Sequence, residues 1–185
     1  VQNIFIKIKE WDNQMLQSIL KNEGIQELIS LSETIIGNHI SVSDPSLKML
    51  AVTWGIPALD QVSQDLIKYG YHCQNSIEIF KMRRAFEDWS TTDSIVIREA
   101  DKHIEYKIVL KPFKHSGTYS VLVVMVITNT PYTQGLLDLF EMLTNRIKYY
   151  VERDYFSNKS NNYISTSFFM DIIEKRLYRK EDILE

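Results

Sequence analysis

Few of the chain's reactive side chains stand close enough in sequence to act together, and His72-Cys73 is the tightest pairing. A thiol beside an imidazole is the raw material of nucleophilic catalysis, in which the base removes the thiol proton. Adjacent residues project in different directions, however, so the pair reads as a buried thiol beside a loop histidine. Cys73 is also the only cysteine, which excludes an internal disulfide and fits a reducing compartment. The remaining histidines, His39, His103 and His115, fall at a helix exit, on the polar face of a strand and in a turn. Those are places for solvated or capping side chains.

Cationic chemistry is offered by Lys81-Met82-Arg83-Arg84. With Glu78, Glu87 and Asp88 close by, the run reads as the salt-bridged solvent face of a helix. The functional alternative turns Arg83 or Arg84 toward a sheet to hold a carboxylate or phosphate. Lys175-Arg176 with Arg179-Lys180 is a second charged helix face, too short to argue for DNA contact. Aromatic residues supply the other opportunity. Trp54 ends a strand, Tyr71 lies in a loop, Phe80 and Phe86 share a helix, and Tyr106 sits on the apolar face of a strand. Short helices covering a sheet would bring them to one cavity, although a core uses such side chains for packing alone. Trp54, Tyr71, Phe80, Arg83 and Tyr106 are therefore the candidate ligand-binding residues. No catalytic residue, metal ligand or cofactor is indicated.

Other chemistries lack their signatures. The chain has no G-x-x-x-x-G-K-[ST], G-x-G-x-x-G or G-x-S-x-G, and its six glycines are isolated, so no run of backbone amides can cradle a phosphate. H-E-x-x-H and paired-cysteine zinc patterns are missing too. Twenty-one basic against 24 acidic residues give a net charge of −3, the opposite of the basic surplus that grips nucleic acid. The longest apolar run, Val121 to Ile127, is strand-sized and far short of a bilayer span. A soluble cytoplasmic protein is expected.

The elements that must position these residues follow from periodicity. Asn3 to Lys9 alternates as a short strand would, and Trp11 to Leu20 repeats at helical spacing. Asn22-Glu23-Gly24 separates it from a second helix that ends at Gly37-Asn38. Ile40 to Ser43 and Lys48 to Trp54 read as strands joined by an Asp44-Pro45-Ser46 turn. Helices are predicted over Leu59 to Tyr69 and Ser76 to Trp89. Strands follow over Ser94 to Glu99, His103 to Leu110 and Thr118 to Ile127, the last nearly all apolar and hence central, with a turn at Lys114-His115-Ser116-Gly117. Thr130-Pro131 offers a start for a long helix to about Arg153. A polar linker over Asn158 to Asn162 leads to a last helix capped by Ser165-Thr166-Ser167. The order predicts an α+β domain: one five-stranded antiparallel sheet covered by helices, with further helices flanking it at both ends.

Gly24 to Thr53 carries a resemblance to a family. A helix ending in Gly37-Asn38 leads to a strand, an Asp44-Pro45-Ser46 turn and a strand containing Leu50-Ala51. This resembles the sensor region of PucR/CdaR-type bacterial transcriptional regulators. Lys111 to Val124 is similar to the closing hairpin of GAF-like domains, and Phe168 to Glu185 to the helix leading into the regulators' C-terminal half. His39 departs from the pattern, which there carries proline or a small apolar residue. The resemblance implies a GAF/PAS-like fold, a small-molecule effector, and a helix-turn-helix beyond Glu185 as the sole route to DNA. Both termini accordingly read as cut. Three parts are expected: residues 1–37 for coupling and dimerisation, 38–153 as the sensor domain, and 154–185 as linker and connecting helix. The helical stripes are wider than one sheet face needs, which predicts a homodimer. The rival readings are a GAF-like domain of a kinase or cyclase, a small enzyme on the same fold, and a dimerisation platform without ligand.

Overall fold

The strand that reads as most apolar, β5 (Thr118–Val126), lies in the middle of the sheet. In the computed structural model, which describes residues 2–115 and 118–155, β1 (His39–Ser43) and β4 (Ile108–His115) flank it. β2 (Met49–Val52) and β3 (Val96–Arg98) form the edges, so the order is β2-β1-β5-β4-β3, antiparallel throughout. The α+β class and the five-stranded antiparallel sheet are those expected.

Side chains alternate across a strand, so β5 feeds two cores. Val121, Val123 and Met125 join one cluster, while Leu122 and Val126 join the other. The first is covered by α1 (Gln2–Leu20), α2 (Ile25–Ile36) and α6 (Gln134–Tyr150). Trp11, Met15 and Ile19 repeat every four residues along α1 and are all buried, as are Leu136, Phe140, Leu143 and Ile147 on α6. Arg146 clamps the two helices by donating through Nε and Nη2 to the two carboxylate oxygens of Asp12, each at 2.8 Å. The second face is covered by three short helices: α3 (Gln61–Tyr69), α4 (Gln74–Met82) and α5 (Ala85–Thr91).

Four local expectations are corrected. Asn3–Lys9 is not a strand but the first part of α1; extending a formed helix by one residue adds one hydrogen bond for each residue ordered, and no breaker separates this stretch from Trp11. The helix expected over Ser76 to Trp89 breaks at Arg84, which adopts φ 54°, and so divides into α4 and α5. Residues 103–107 do not form a strand either. Asp101 Oδ1 accepts the N–H groups of His103 and Ile104 at 2.8 and 3.0 Å, and this turn competes successfully with the sheet ladder. β4 instead starts at Ile108 and runs through Pro112, which lies beyond the last β3 partner at Leu110 and is paired with Leu122 of β5. Finally, Thr133 rather than Thr130 caps α6, accepting the N–H of Leu136 at 3.1 Å. The backbone of Thr130 is already engaged by Asn38.

The long last helix ends in a π-helical turn over Val151–Tyr155. The turn residues Ser116-Gly117, the polar linker at 158–162 and the final helix beginning near Ser165 lie outside the described residues.

Candidate functional site

The two faces of the sheet are filled differently. Long helices cover the first face, and over the second, beneath the three short helices, lies a cavity of about 50 Å³. Its sheet side is formed by Ile108, Leu110, Leu122 and Val126, and its helix side by Phe80 and Trp89. Phe80, Phe86 and Trp89 pack edge to face, with ring centroids 5.1 to 6.2 Å apart, in the geometry that aromatic quadrupoles favour. A wider hollow of about 140 Å³ adjoins the cavity, sharing Asp60, Val62 and Ile104 with it and adding His103 and Glu105.

Polar groups interrupt this apolar wall at a few points. Asp60 is the N-cap of α3: its Oδ1 accepts the N–H of Ser63 at 2.9 Å, satisfying a donor that the helix itself leaves open. Asp60 is 8% exposed, and its second oxygen, Oδ2, is buried without a hydrogen-bond partner. His72 is 6% exposed and has a partnerless Nδ1. Its ring meets Phe80 edge to face at 4.9 Å, and burial lowers its pKa to about 4, so the imidazole is neutral near pH 7. Arg83 and Arg98 bring guanidinium groups to the same wall. Arg83 donates to Asp101 Oδ2 at 3.0 Å and to the Glu99 carbonyl at 3.3 Å, so its charge is already shared.

The candidate residues are placed unequally. Phe80 and Arg83 line the cavity together. The break at Arg84 explains how Arg83 reaches it: Arg84 turns outward to an exposed ion pair with Glu87 at 3.0 Å, while Arg83 points back toward the sheet. Tyr106 packs half-buried against the second core but is not part of the cavity lining. Trp54 is 61% exposed in the loop after β2, and Tyr71 is 53% exposed, bridging Lys48 through its backbone. Neither reaches the cavity.

His72 and Cys73 diverge as neighbouring residues should. Cys73 Sγ lies 3.4 Å from Asp65 Oδ2, whereas His72 turns to Phe80. His39, expected to be a solvated or capping side chain, is instead fully buried, with Nδ1 3.0 Å from the Thr53 hydroxyl and 3.3 Å from the Ile56 carbonyl; burial lowers its pKa. Asp60, Ser63 and Trp89 were not among the residues expected to bind a ligand, and His72, expected as a loop histidine, is instead a buried part of the cavity wall. Only Asp60 carried a signal in the sequence, as an Asp placed three residues before a serine at the start of an amphipathic helix. Among the described residues, no three His, Cys, Asp or Glu side chains gather in a way that could hold a metal ion, and no helix is long and apolar enough to cross a membrane.

No family model matches the chain, and no curated protein matches it. Among solved structures it is similar to the cofactor binding GAF domain of the nutrient sensor CodY from Clostridium difficile. The two share 9% identity with a TM-score of 0.46, over 67% of this chain and 81% of that one.

Proposed function

We propose that this chain is a non-catalytic, ligand-sensing domain of GAF/PAS type, serving a bacterial transcriptional regulator of the PucR/CdaR kind. The observation that carries the sensing role is the cavity, because its walls come from both layers: β4 and β5 on one side, α4 and α5 on the other. A small molecule held there touches the sheet and the helices at once, so its binding energy can favour one arrangement of the two over another. β5 also packs through its opposite face against α1, α2 and α6, which gives a change at the cavity a direct path to the long helices. In this reading Phe80 and Arg83 contact the effector, residues 38–153 form the sensor, and 154–185 lead toward a DNA-binding half.

The reading is tested by mass spectrometry of small molecules released from natively purified protein, compared with an Ala85→Phe variant that fills the cavity. A compound released by the wild type and missing from the variant is the expected result. A folded wild type that releases nothing, and whose melting temperature no fraction of a cell extract raises, would overturn it.

Dimerisation through helices belongs to the same proposal. Ile4, Phe5 and Ile6 of α1 are 61%, 69% and 51% exposed, an apolar end that a second copy could cover. Sedimentation equilibrium should show a dimer that Phe5→Glu dissociates. A strict monomer at high concentration counts against it.

A further inference from the structure

Asp60 and His72, both in the lining of the second-face cavity, carry two buried polar atoms for which the fold supplies no partner. Buried polar groups in folded proteins are almost always hydrogen-bonded, and a carboxylate oxygen in an apolar wall is an expensive exception. Both residues are more than nine-tenths buried and both line the cavity. The Asp60 carboxylate is also fixed in place: Oδ1 is committed to the Ser63 N–H, and Oδ2 is buried.

We infer that Asp60 and His72 are the polar anchor of the effector site, and that the effector is a compact, mainly apolar molecule bearing an N–H or O–H donor. This rests on the sensing role proposed above and adds the chemistry of the ligand to it. The class follows from what each atom can do. A carboxylate oxygen only accepts, so the group meeting Oδ2 must donate. An acid or phosphate at Oδ2 itself would face a like charge, and Arg83 on the same wall is already ion-paired with Asp101. A neutral imidazole nitrogen donates or accepts according to its tautomer, so His72 Nδ1 can serve the second half of an amide, alcohol or amine. The body of the molecule is matched by Phe80, Trp89, Ile104 and Leu122. Asp60 stands where the cavity meets the adjoining hollow, so the donor group lies at the neck between them. Because the same carboxylate caps α3, the ligand's grip is joined through one side chain to the start of that helix.

The test uses probes of one shape: isobutanol, isobutyramide and isobutylamine as donors, 3-methyl-2-butanone as an acceptor only, and isobutyrate as the acid. Their titrations are followed by the Trp89 indole N–H resonance. The donors should bind at least about fivefold more tightly than the ketone and the acid, the discrimination expected when a buried acceptor is left unpaired. Asp60→Asn keeps an oxygen for the cap and replaces the free acceptor by an NH2 donor. It should erase the alcohol's advantage over the ketone, because a hydroxyl and a ketone oxygen both accept from the new NH2 group, and it should weaken protonated isobutylamine, which can only donate. Asp60→Ser, which also caps, should abolish the preference. Saturation of the Trp89 shift with no difference between alcohol and ketone in the wild type, or an alcohol-over-ketone preference that survives Asp60→Asn, overturns the anchor while leaving the cavity as a binding site. If no probe moves Trp89 at any soluble concentration, the sensing cavity itself is overturned.

Discussion

Asn38 and Thr130 bind each other twice: the Asn38 Nδ2 group donates to the Thr130 carbonyl at 2.8 Å, and Asn38 Oδ1 accepts the Thr130 N–H at 3.1 Å. The same oxygen accepts the N–H groups of Thr128 and Asn129 at 3.0 and 2.9 Å. One fully buried side chain thus holds the connection between β5 and α6 against the junction of α2 and β1.

Asn38→Ala should destabilise the protein by about 3 kcal/mol, because it leaves several interior backbone groups without partners. Urea denaturation measures this, and a loss well below 1 kcal/mol would show that the bracket is dispensable. Asn38→Asp should not restore the loss, since it keeps the acceptor but buries a charge and removes the donor.

Glycine substitutions separate backbone strain from collision. Gly37 (φ 68°) and Gly70 (φ 75°) both end helices in the left-handed region. A Cβ at Gly70 meets nothing within 4 Å, whereas one at Gly37 collides with the Thr130 hydroxyl. Gly70→Ala should therefore cost about 1 kcal/mol, the strain alone, and Gly37→Ala about 3 kcal/mol. Equal losses in thermal denaturation would refute the close contact.

The buried His72 makes stability depend on acidity with a definite sign. Its folded pKa of about 4 lies below the ordinary value of 6.5. Above pH 6.5 both folded and unfolded forms are neutral and nothing is lost. As pH falls from 6.5 to about 4 the unfolded chain takes up a proton that the folded one refuses, so stability declines by roughly 3 kcal/mol and then levels off with respect to this group. His39, also lowered by burial, adds in the same direction. His72→Phe, which retains an aromatic edge against Phe80, should flatten most of that slope in urea titrations between pH 4 and 7. An unchanged slope would place the titrating group elsewhere.

Much of the architecture is legible in residue order because it rests on local rules. The spacing of Trp11, Met15 and Ile19 marks a helix face, Gly37 marks a helix end, and Val121–Val126 marks a strand covered on both sides. Phe80 and Arg83 could be nominated separately, one as an aromatic residue and the other as a cation in a stretch that reads as a helix covering the sheet. Where reading failed, two local signals competed and only context chose between them. Ile4, Ile6 and Ile8 satisfy a strand pattern but continue a helix, and residues 103–107 alternate well yet yield to the turn built by Asp101.

By itself, then, the sequence determined the α+β class, the central apolar strand, the covering helices and the lack of recognisable catalytic motifs. Those features depend on side-chain periodicity and on residue types that act within a few positions of one another. The tertiary structure alone decided which polar atoms go unpaired. Asp60 and His72 are separated by helix α3 and become partners in one wall only when that helix lies over the second face of the sheet. Their burial, and the demand for a partner that follows from it, is a property of how the layers close and of no single stretch of chain.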